Sequence, residues 1–198
     1  MESVFAIALG LGLAAASGMR VFVPLLALSL ASATGHVALA PGWTWLGSTT
    51  ALVAFATATA LEVVAYAVPW LDHALDVVAT PAALIAGMIA SASVLVDMPP
   101  LLKWSIVIIG GGGLAGLTQG ATVLARLKSG LLTGGLTNPI VGIAELASAI
   151  GLSALAIFVP IAAIMVLTLL LWLAFHRAGR LFFGRRASPS APGGRAMP

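Results

Sequence analysis

The sequence has no cysteine and very little charge. Without cysteine the chain cannot form a disulfide or use a thiolate as a nucleophile or metal ligand. Only 8% of its 198 residues are charged, whereas 61% are hydrophobic, which leaves too little polar surface to coat a soluble globule. The composition therefore predicts an all-α, polytopic membrane helix bundle.

Common catalytic motifs are also missing. The chain has no His-Glu-x-x-His, no Gly-x-Ser-x-Gly and no phosphate-binding Gly-Lys-Ser/Thr. The run 110–113 is all glycine, but it lies inside an apolar stretch, where it indicates helix packing or a helix break. We therefore expect no cofactor and no catalytic residue, and an enzyme is not the leading hypothesis.

Most of the positive charge follows the last apolar run. Five of the nine basic residues lie at or after Arg177, a pattern typical of a membrane anchor and not of a nucleic-acid interface. We predict a transmembrane domain over residues 1–178, followed at 179–198 by a basic juxtamembrane segment and a disordered tail. The expected partner is the lipid bilayer, with no nucleic acid, and a homo-oligomer is left open.

Apolar runs predict about six transmembrane helices. The run 140–175 would rise about 54 Å as one helix, nearly twice the hydrocarbon core, so it must contain a turn, which we place near Phe158-Val159-Pro160. Because Met1-Glu2-Ser3 has no basic residue, we expect the first run to be retained and not cleaved as a signal peptide. The other predicted crossings are residues 4–32 with a break near Gly18, 49–68, 77–96 and 101–124.

The connections between these runs set the predicted orientation. An acidic connection would carry Asp72 and Asp76, and a flexible basic loop would carry Arg126 and Lys128. With six crossings, that loop and the C-terminal basic cluster share a side, which predicts that both termini are cytoplasmic in a bacterial inner membrane. Residues 79–86 can be aligned with residues 137–144, which suggests two inverted three-helix repeats.

Arg20 is the most informative residue because it interrupts the first apolar run. An arginine in lipid costs about 3 to more than 10 kcal/mol, so it must face protein, water or an anion. If a broken helix restarts near Ser17 and Gly18, its free amides and the guanidinium would face the same anion. Alternatively, Arg20 pairs with Glu62, caps the carbonyls of the broken helix, or reaches the interface.

Two carboxylates are predicted at the same membrane depth. Glu62 and Glu145 would each lie about 9 Å from the cytoplasmic boundary at 1.5 Å per residue. Together they could relay protons or bind a cation, and the alternative is that each only holds helices together. Gln119 and Asn138 are further polar candidates for a ligand or ion site.

Asp72 and Asp76 resemble the Asp-rich metal sites of membrane prenyltransferases. They share a helical face, but that chemistry needs several more acidic ligands, and this chain has only six acidic residues. We favour a solvated helix turn over a metal site at these positions.

Three motifs in order point to a family. They are Ser17-Gly18-Met19-Arg20 continuing to Leu26, then Glu62 ahead of Val68-Pro69-Trp70-Leu71-Asp72, and finally Thr137-Asn138-Pro139 ahead of Glu145. The chain in this respect resembles the bacterial family called domain of unknown function 4126. The resemblance implies a small polytopic inner-membrane protein and implies no activity.

The leading functional hypothesis is a small transporter or channel for an anionic or proton-coupled solute. It depends on charged residues in several membrane runs without a catalytic set. The alternatives are a non-transporting partner subunit in a membrane assembly and a metal-dependent, lipid-modifying membrane enzyme.

Overall fold

The protein is a helical bundle in a computed structural model that describes residues 2–65, 69–133 and 138–183. Apart from turns, these residues are helical throughout, which confirms the predicted all-α class. The helices are α1 Glu2–Ser17, α2 Phe22–Ala33, a 3-10 helix at Thr44–Gly47, α3 Thr49–Ala65, α4 Pro69–Val94, α5 Pro100–Ser105, a π-helical segment Ile106–Gly112, α6 Gly113–Thr133, α7 Asn138–Phe158 and α8 Pro160–Phe183.

Three stretches of the described chain are long and apolar enough to cross a membrane by length and composition. They are Val77–Val94, Pro100–Gly130 and Ile140–Phe158. Large apolar side chains lie on the outside of the bundle, as a hydrocarbon solvent requires; in α3, for example, Ala51 is the only buried side chain among those described. The chain is therefore an integral membrane protein, whereas the number of crossings stays a prediction.

The break predicted near Gly18 is present, but the two helices that it separates are antiparallel. Contacts with α7 show how far along the bundle α1, the break and the end of α2 lie. Arg20, at the break, donates to the Gly142 carbonyl near the start of α7. Gly12 of α1 packs against Ala156, near the end of α7. Beyond α2, the ring of His36 lies 5.9 Å from that of Phe158. Helix α1 thus descends along α7 and α2 returns.

The C-terminal end of α4 confirms this reversal. Gly10 of α1 packs against Ser91, and the amide of Ala40, beyond α2, donates to the Ser93 carbonyl at 2.7 Å. Helices α1 and α2 therefore form a re-entrant hairpin whose tip, residues 18–21, lies inside the bundle. At 1.5 Å per residue, 16 and 12 residues rise about 24 and 18 Å, which is less than a bilayer core.

The hairpin corrects one expectation. Residues 4–32 were predicted to make one crossing, but α1 and α2 run in opposite directions. That prediction failed because a one-dimensional apolar run cannot distinguish a crossing from a reversal. Glu2 begins at the end of the bundle where Ala6, Ile7 and Met98 pack on one apolar cluster, and helix α8 ends at Phe183 at the opposite end. The side of the membrane on which each terminus lies stays a prediction.

The turn predicted near Phe158-Val159-Pro160 is confirmed. Helix α7 ends at Phe158 and α8 begins at Pro160, where a missing amide hydrogen costs nothing. Ala163 lies beside Gly12, at the level of Ala156, and Leu167 lines a groove with Glu145. Helix α8 therefore returns alongside α7.

Residues 79–86 and 137–144 were predicted to belong to two repeats of opposite direction. The structure does not have this arrangement. Both α4 and α7 are antiparallel to α1. On α4, Gly10 lies at Ser91 and Ala14 at Gly87; on α7, Gly12 lies at Ala156 and Arg20 reaches Gly142. The two aligned segments consequently run in the same direction. The chemical likeness reflects their shared composition of small apolar residues.

Two predicted connections are helical. The acidic connection at 72–76 forms part of the first two turns of α4, which begins at Pro69. Arg126 and Lys128, predicted in a loop, lie within α6. The helical backbone at Asp72 and Asp76 agrees with the helix turn favoured there. Local composition misled the loop prediction at Arg126 and Lys128, because a charged residue in a membrane protein can continue a helix when the surrounding fold gives it a partner or water.

Small residues let α4 approach the π-helical segment closely. A Cβ atom on Gly87 would lie 2.6 Å from the Cβ of Ala115 and 2.9 Å from the Gly111 carbonyl oxygen. Ala83, Gly87 and Ser91, which recur every four residues on α4, are all buried here. On the other side of the contact, Gly112 and Gly116 face α4, whereas a Cβ atom on Gly120 would meet no atom within 4 Å.

The hairpin predicts an unusual topology. Reporters fused after Leu46, Met98 and Phe158, and a reporter at the N-terminus, should all lie on one side of the membrane, and a reporter after Phe183 on the other. Substituted-cysteine labelling in intact cells gives the same comparison, because the natural chain has no cysteine. An N-terminal reporter on the side of Phe183 would contradict the re-entrant hairpin.

The close approach of α4 predicts that Gly87→Ala is destabilising. The added methyl group overlaps Ala115 and backbone, so the free energy of unfolding should fall by about 1 to 3 kcal/mol. Gly120→Ala is the matched control, because its methyl group meets no atom within 4 Å; it should be neutral or slightly stabilising. Thermal unfolding in detergent measures both, and equal effects would contradict this packing.

Candidate functional site

The hairpin tip begins where α1 ends. The Ser17 hydroxyl donates to the Leu13 carbonyl at 3.0 Å, and the Gly18 amide donates to the Ala15 carbonyl at 3.2 Å. The Ala15 carbonyl also accepts a hydrogen bond from the Thr118 hydroxyl of α6 at 2.8 Å. These groups satisfy the C-terminal carbonyls of α1 inside the protein, as a helix end in a membrane requires.

Gly18 is needed because α6 touches the tip. A methyl group there would overlap the Thr118 hydroxyl and the Ala115 carbonyl. The Ser17 and Gly18 amides were predicted to face an anion at the N-terminus of a restarted helix. Both residues instead lie at the C-terminal end of α1. The helix restarts later, at Phe22.

The free amides at the start of α2 bind a carboxylate of the protein itself. The Val21 amide donates to Glu62 Oε1 at 2.9 Å, and the Phe22 amide donates to Oε2 at 3.2 Å. Pro24, in the first turn of α2, has no amide to satisfy. A helix N-terminus favours an anion, and here Glu62 of α3 supplies it.

Arg20 points from the tip towards α7. Its Nη2 atom donates to the Gly142 carbonyl at 2.8 Å and lies 3.8 Å from Glu145 Oε2. With 3% of its surface exposed, the side chain is removed from lipid and water. Arg20 thus donates to a backbone carbonyl, but this carbonyl belongs to α7 and not to the broken helix.

Arg126 of α6 forms the strongest pair with Glu145. Its Nε atom donates to Glu145 Oε1 at 2.9 Å, and its Nη2 atom contacts Glu145 Oε2 directly. Such a two-point contact is the preferred geometry between arginine and a carboxylate. Both side chains are over 90% buried, at 8% and 7% exposure. Glu145 therefore joins Arg126 to Arg20.

Four charged side chains lie around the tip: Arg20, Arg126 and Glu145, which are buried, and Glu62, which is half-buried. We call these four side chains the charge cluster. Glu145 is seven residues from the start of α7 and thirteen from its end, or about 10 and 20 Å along the helix. The common depth of the two glutamates in the membrane stays a prediction.

The remaining candidates differ in what can be said of them. Gln119 is buried in α6, next to Thr118. The side chains of Asn138, Asp72 and Asp76 lie outside those that the structure describes, although their backbones are helical. Among the described residues, no group of three or more His, Cys, Asp or Glu side chains could hold a metal ion.

A family model described as Domain of unknown function (DUF4126) matches residues 7–179. The chain belongs to this family. The matched range includes the hairpin and all four members of the charge cluster. No curated protein and no solved structure matches the chain.

Sequence reasoning missed three groups of the candidate site of this DUF4126 protein. Arg126 was assigned to a loop, Thr118 was not considered, and Gly142 contributes only a carbonyl group. One signal was available for Arg126, since it falls on one helical face with Gln119 and Thr122, away from the glycines of α6. The Gly142 carbonyl could not be identified from any side-chain pattern.

Two grooves reach the charge cluster from different sides. One, of about 370 Å³, lies between α3 and α4 and ends at Glu62. The other, of about 300 Å³, lies between α6 and α8 and ends at Glu145. Both carboxylates of the DUF4126 site can therefore be approached laterally, whereas Arg20 lies between them.

Removing Arg126 should destabilise the protein more than removing another basic residue of α6. Arg126→Met leaves Glu145 without its two-point partner, and breaking a buried ion pair in this way costs about 3 to 5 kcal/mol. Lys128→Met is the control, because Lys128 is exposed. Thermal unfolding in detergent should show a much larger loss for Arg126→Met, and similar losses would contradict the buried pair.

Proposed function

We propose that the protein transports a small anion across the membrane together with a proton. The observation that carries this proposal is the Glu62 carboxylate on the Val21 and Phe22 amides, at 2.9 and 3.2 Å. This position is an anion site inside the membrane that the protein fills with its own side chain. A solute anion can bind there only when Glu62 leaves.

Protonation of Glu62 supplies the switch. A neutral carboxyl group binds amide donors more weakly than a carboxylate does. A solute anion then replaces the Glu62 side chain on the Val21 and Phe22 amides. Loss of the proton returns the carboxylate to the amides and expels the anion, so one proton moves with each anion.

The energetics favour a functional reading of the cluster. Buried ion pairs add little net stability compared with well-packed apolar side chains, and ionisable residues within membranes commonly mark transport pathways. The hairpin supports the same reading, because non-helical backbone at membrane depth is tolerated where it is buried in protein or lines a cavity. Here residues 18–21 place backbone donors at that depth.

The alternative of a partner subunit has less support. It depended on Gly and Ala faces that would bind other membrane proteins. Gly10, Gly12, Gly87 and Gly111 instead contact helices of the same chain, so these faces are used within the bundle.

We further propose the orientation of the bundle. The basic residues of the C-terminal segment follow α8, and Lys128 lies near the end of α6 at the same end of the bundle. By the positive-inside rule this end is cytoplasmic. The charge cluster then lies in the cytoplasmic half of a bacterial inner membrane, and the hairpin enters from the other side.

Purified protein in liposomes tests the transport proposal. We expect an inward proton gradient to drive uptake of at least one permanently charged small anion among chloride, nitrate and methanesulfonate. Glu62→Ala should still pass the anion under a membrane potential but lose most of its response to the proton gradient, by about tenfold or more. The readouts are anion content and internal pH.

Glu2→Ala is the matched control, since Glu2 is exposed at the far end of α1, and it should behave as wild type. Absence of protein-dependent flux for all three anions would refute the transport proposal. Unchanged proton coupling in Glu62→Ala would refute the role of Glu62.

A further inference from the structure

A third groove lies between α2 and α7, which run in the same direction. Arg20 reaches Gly142 at the level of the hairpin tip, and the rings of His36 and Phe158 lie 5.9 Å apart at the other end of the groove. The volume of the groove is about 410 Å³. Of the residues that line it, only Thr34 and His36 have polar side chains. The groove is therefore apolar along its length and polar at one end.

We propose that this groove holds one acyl chain of a phospholipid whose headgroup ends in a primary ammonium group. The acyl chain lies between α2 and α7, and the ammonium group donates to His36 at the membrane surface. This inference does not depend on the proposed transport function, because none of the four side chains of the charge cluster lines this groove.

The groove is open on its lipid side. Leu30, Ile150 and Phe158 line it and are each more than half exposed, whereas Val23 and Ala31 are buried and form its floor. An acyl chain can enter sideways from the bilayer without contact with water. Water would find too few hydrogen-bonding partners along these walls to fill the groove.

The length of the groove matches one leaflet of a bilayer. Its lining on α2 extends from Val23 to Thr34, which is about 16 Å at 1.5 Å per residue. The hydrocarbon core of a bilayer is about 30 Å thick, so the groove covers about half of it. It begins at the end of the candidate span Ile140–Phe158 and stops near the hairpin tip. An acyl chain of one leaflet fills that length, whereas a transmembrane helix would continue beyond the tip.

Charge complementarity at the polar end favours a cation. Helices α2 and α7 both end here, at Ala33 and Phe158, and the last carbonyl groups of a helix carry partial negative charge. Neither Asp, Glu, Lys nor Arg is among the residues that line the groove. A cationic headgroup complements the two helix ends, whereas a headgroup with only negative charge is disfavoured there.

His36 selects a headgroup that can donate a hydrogen bond. The Thr34 hydroxyl donates to the Leu30 carbonyl at 2.8 Å and lies 2.9 Å from Nδ1 of His36. Because this hydroxyl has a single hydrogen, Nδ1 is the donor to Thr34, and Nε2 of the neutral ring is then an acceptor. A primary ammonium group supplies a hydrogen for Nε2. A trimethylammonium group has the same charge but no hydrogen to donate.

Two phospholipids that differ only in the headgroup test the inference. Full-length protein in detergent is titrated with phosphatidylethanolamine or with phosphatidylcholine of the same acyl chains, and thermal unfolding is measured. Both lipids should stabilise the protein. Phosphatidylethanolamine should reach half of its effect at about a tenfold lower concentration, because it makes one more hydrogen bond from a charged donor. Equal potency of the two lipids would overturn the inference.

His36→Phe removes the ring nitrogens and keeps an aromatic ring beside Phe158. The two lipids should therefore become equally potent. His176→Phe is the matched control, because His176 is exposed on α8 and does not line the groove; it should keep the tenfold difference. A tenfold difference that survives in His36→Phe would contradict the assigned headgroup contact and overturn the inference.

Ala154→Leu tests the position of the acyl chain. Ala154 lines the groove and is exposed, so a leucine side chain there takes up space in the groove and not in the core. Loss of contact with several methylene groups should raise the required concentration of either lipid about tenfold or more. Ala147→Leu makes the same change at an exposed position of α7 outside the lining, and it should respond as wild type. Equal responses of the two variants would overturn the inference.

Wild-type protein gives a further measurement that needs no variant. Native mass spectrometry of protein purified in mild detergent should show one phosphatidylethanolamine per chain, retained under conditions that remove phosphatidylcholine. Preferential retention of a lipid without a primary ammonium group would overturn the inference. A lipid-free dimer that Ala154→Leu dissociates would also overturn it, and would assign the groove to a second copy of the chain.

Discussion

The contact of the hairpin tip with α7 is the interaction on which the structure depends. Arg20 donates to the Gly142 carbonyl and faces Glu145, and Glu145 is held in turn by Arg126. Three separate elements, the tip, α6 and α7, are joined by these charges. In an apolar solvent such contacts have no competition from water, so they fix how deeply the hairpin enters the bundle.

Both ends of the break are satisfied by neighbouring helices. Thr118 of α6 donates to the Ala15 carbonyl of α1, and Glu62 of α3 accepts from the Val21 and Phe22 amides at the start of α2. Glycine at position 18 permits the approach of α6. The break is thus held by side chains that lie far away in the sequence. Each half of the hairpin is by itself too short to cross the bilayer.

The charge cluster links the fold to the proposed activity. Arg126 and Glu145 form a two-point pair between α6 and α7, whereas Glu62 binds the backbone amides of α2. In the proposed function, Glu62 is the carboxylate that a solute anion replaces, and Glu145 stays in place.

Much of the fold could be predicted from the sequence alone. Composition determined the membrane class, Pro160 the turn between α7 and α8, and Arg20 beside Gly18 the position of the break, because each effect is local or depends on total polarity. Only the tertiary structure decided that α1 and α2 are antiparallel, that Arg126 pairs with Glu145, and that Glu62 caps α2. The two side-chain contacts join residues 19 and 41 positions apart, and side-chain type and local spacing contain no information on which distant partner a buried charge will choose.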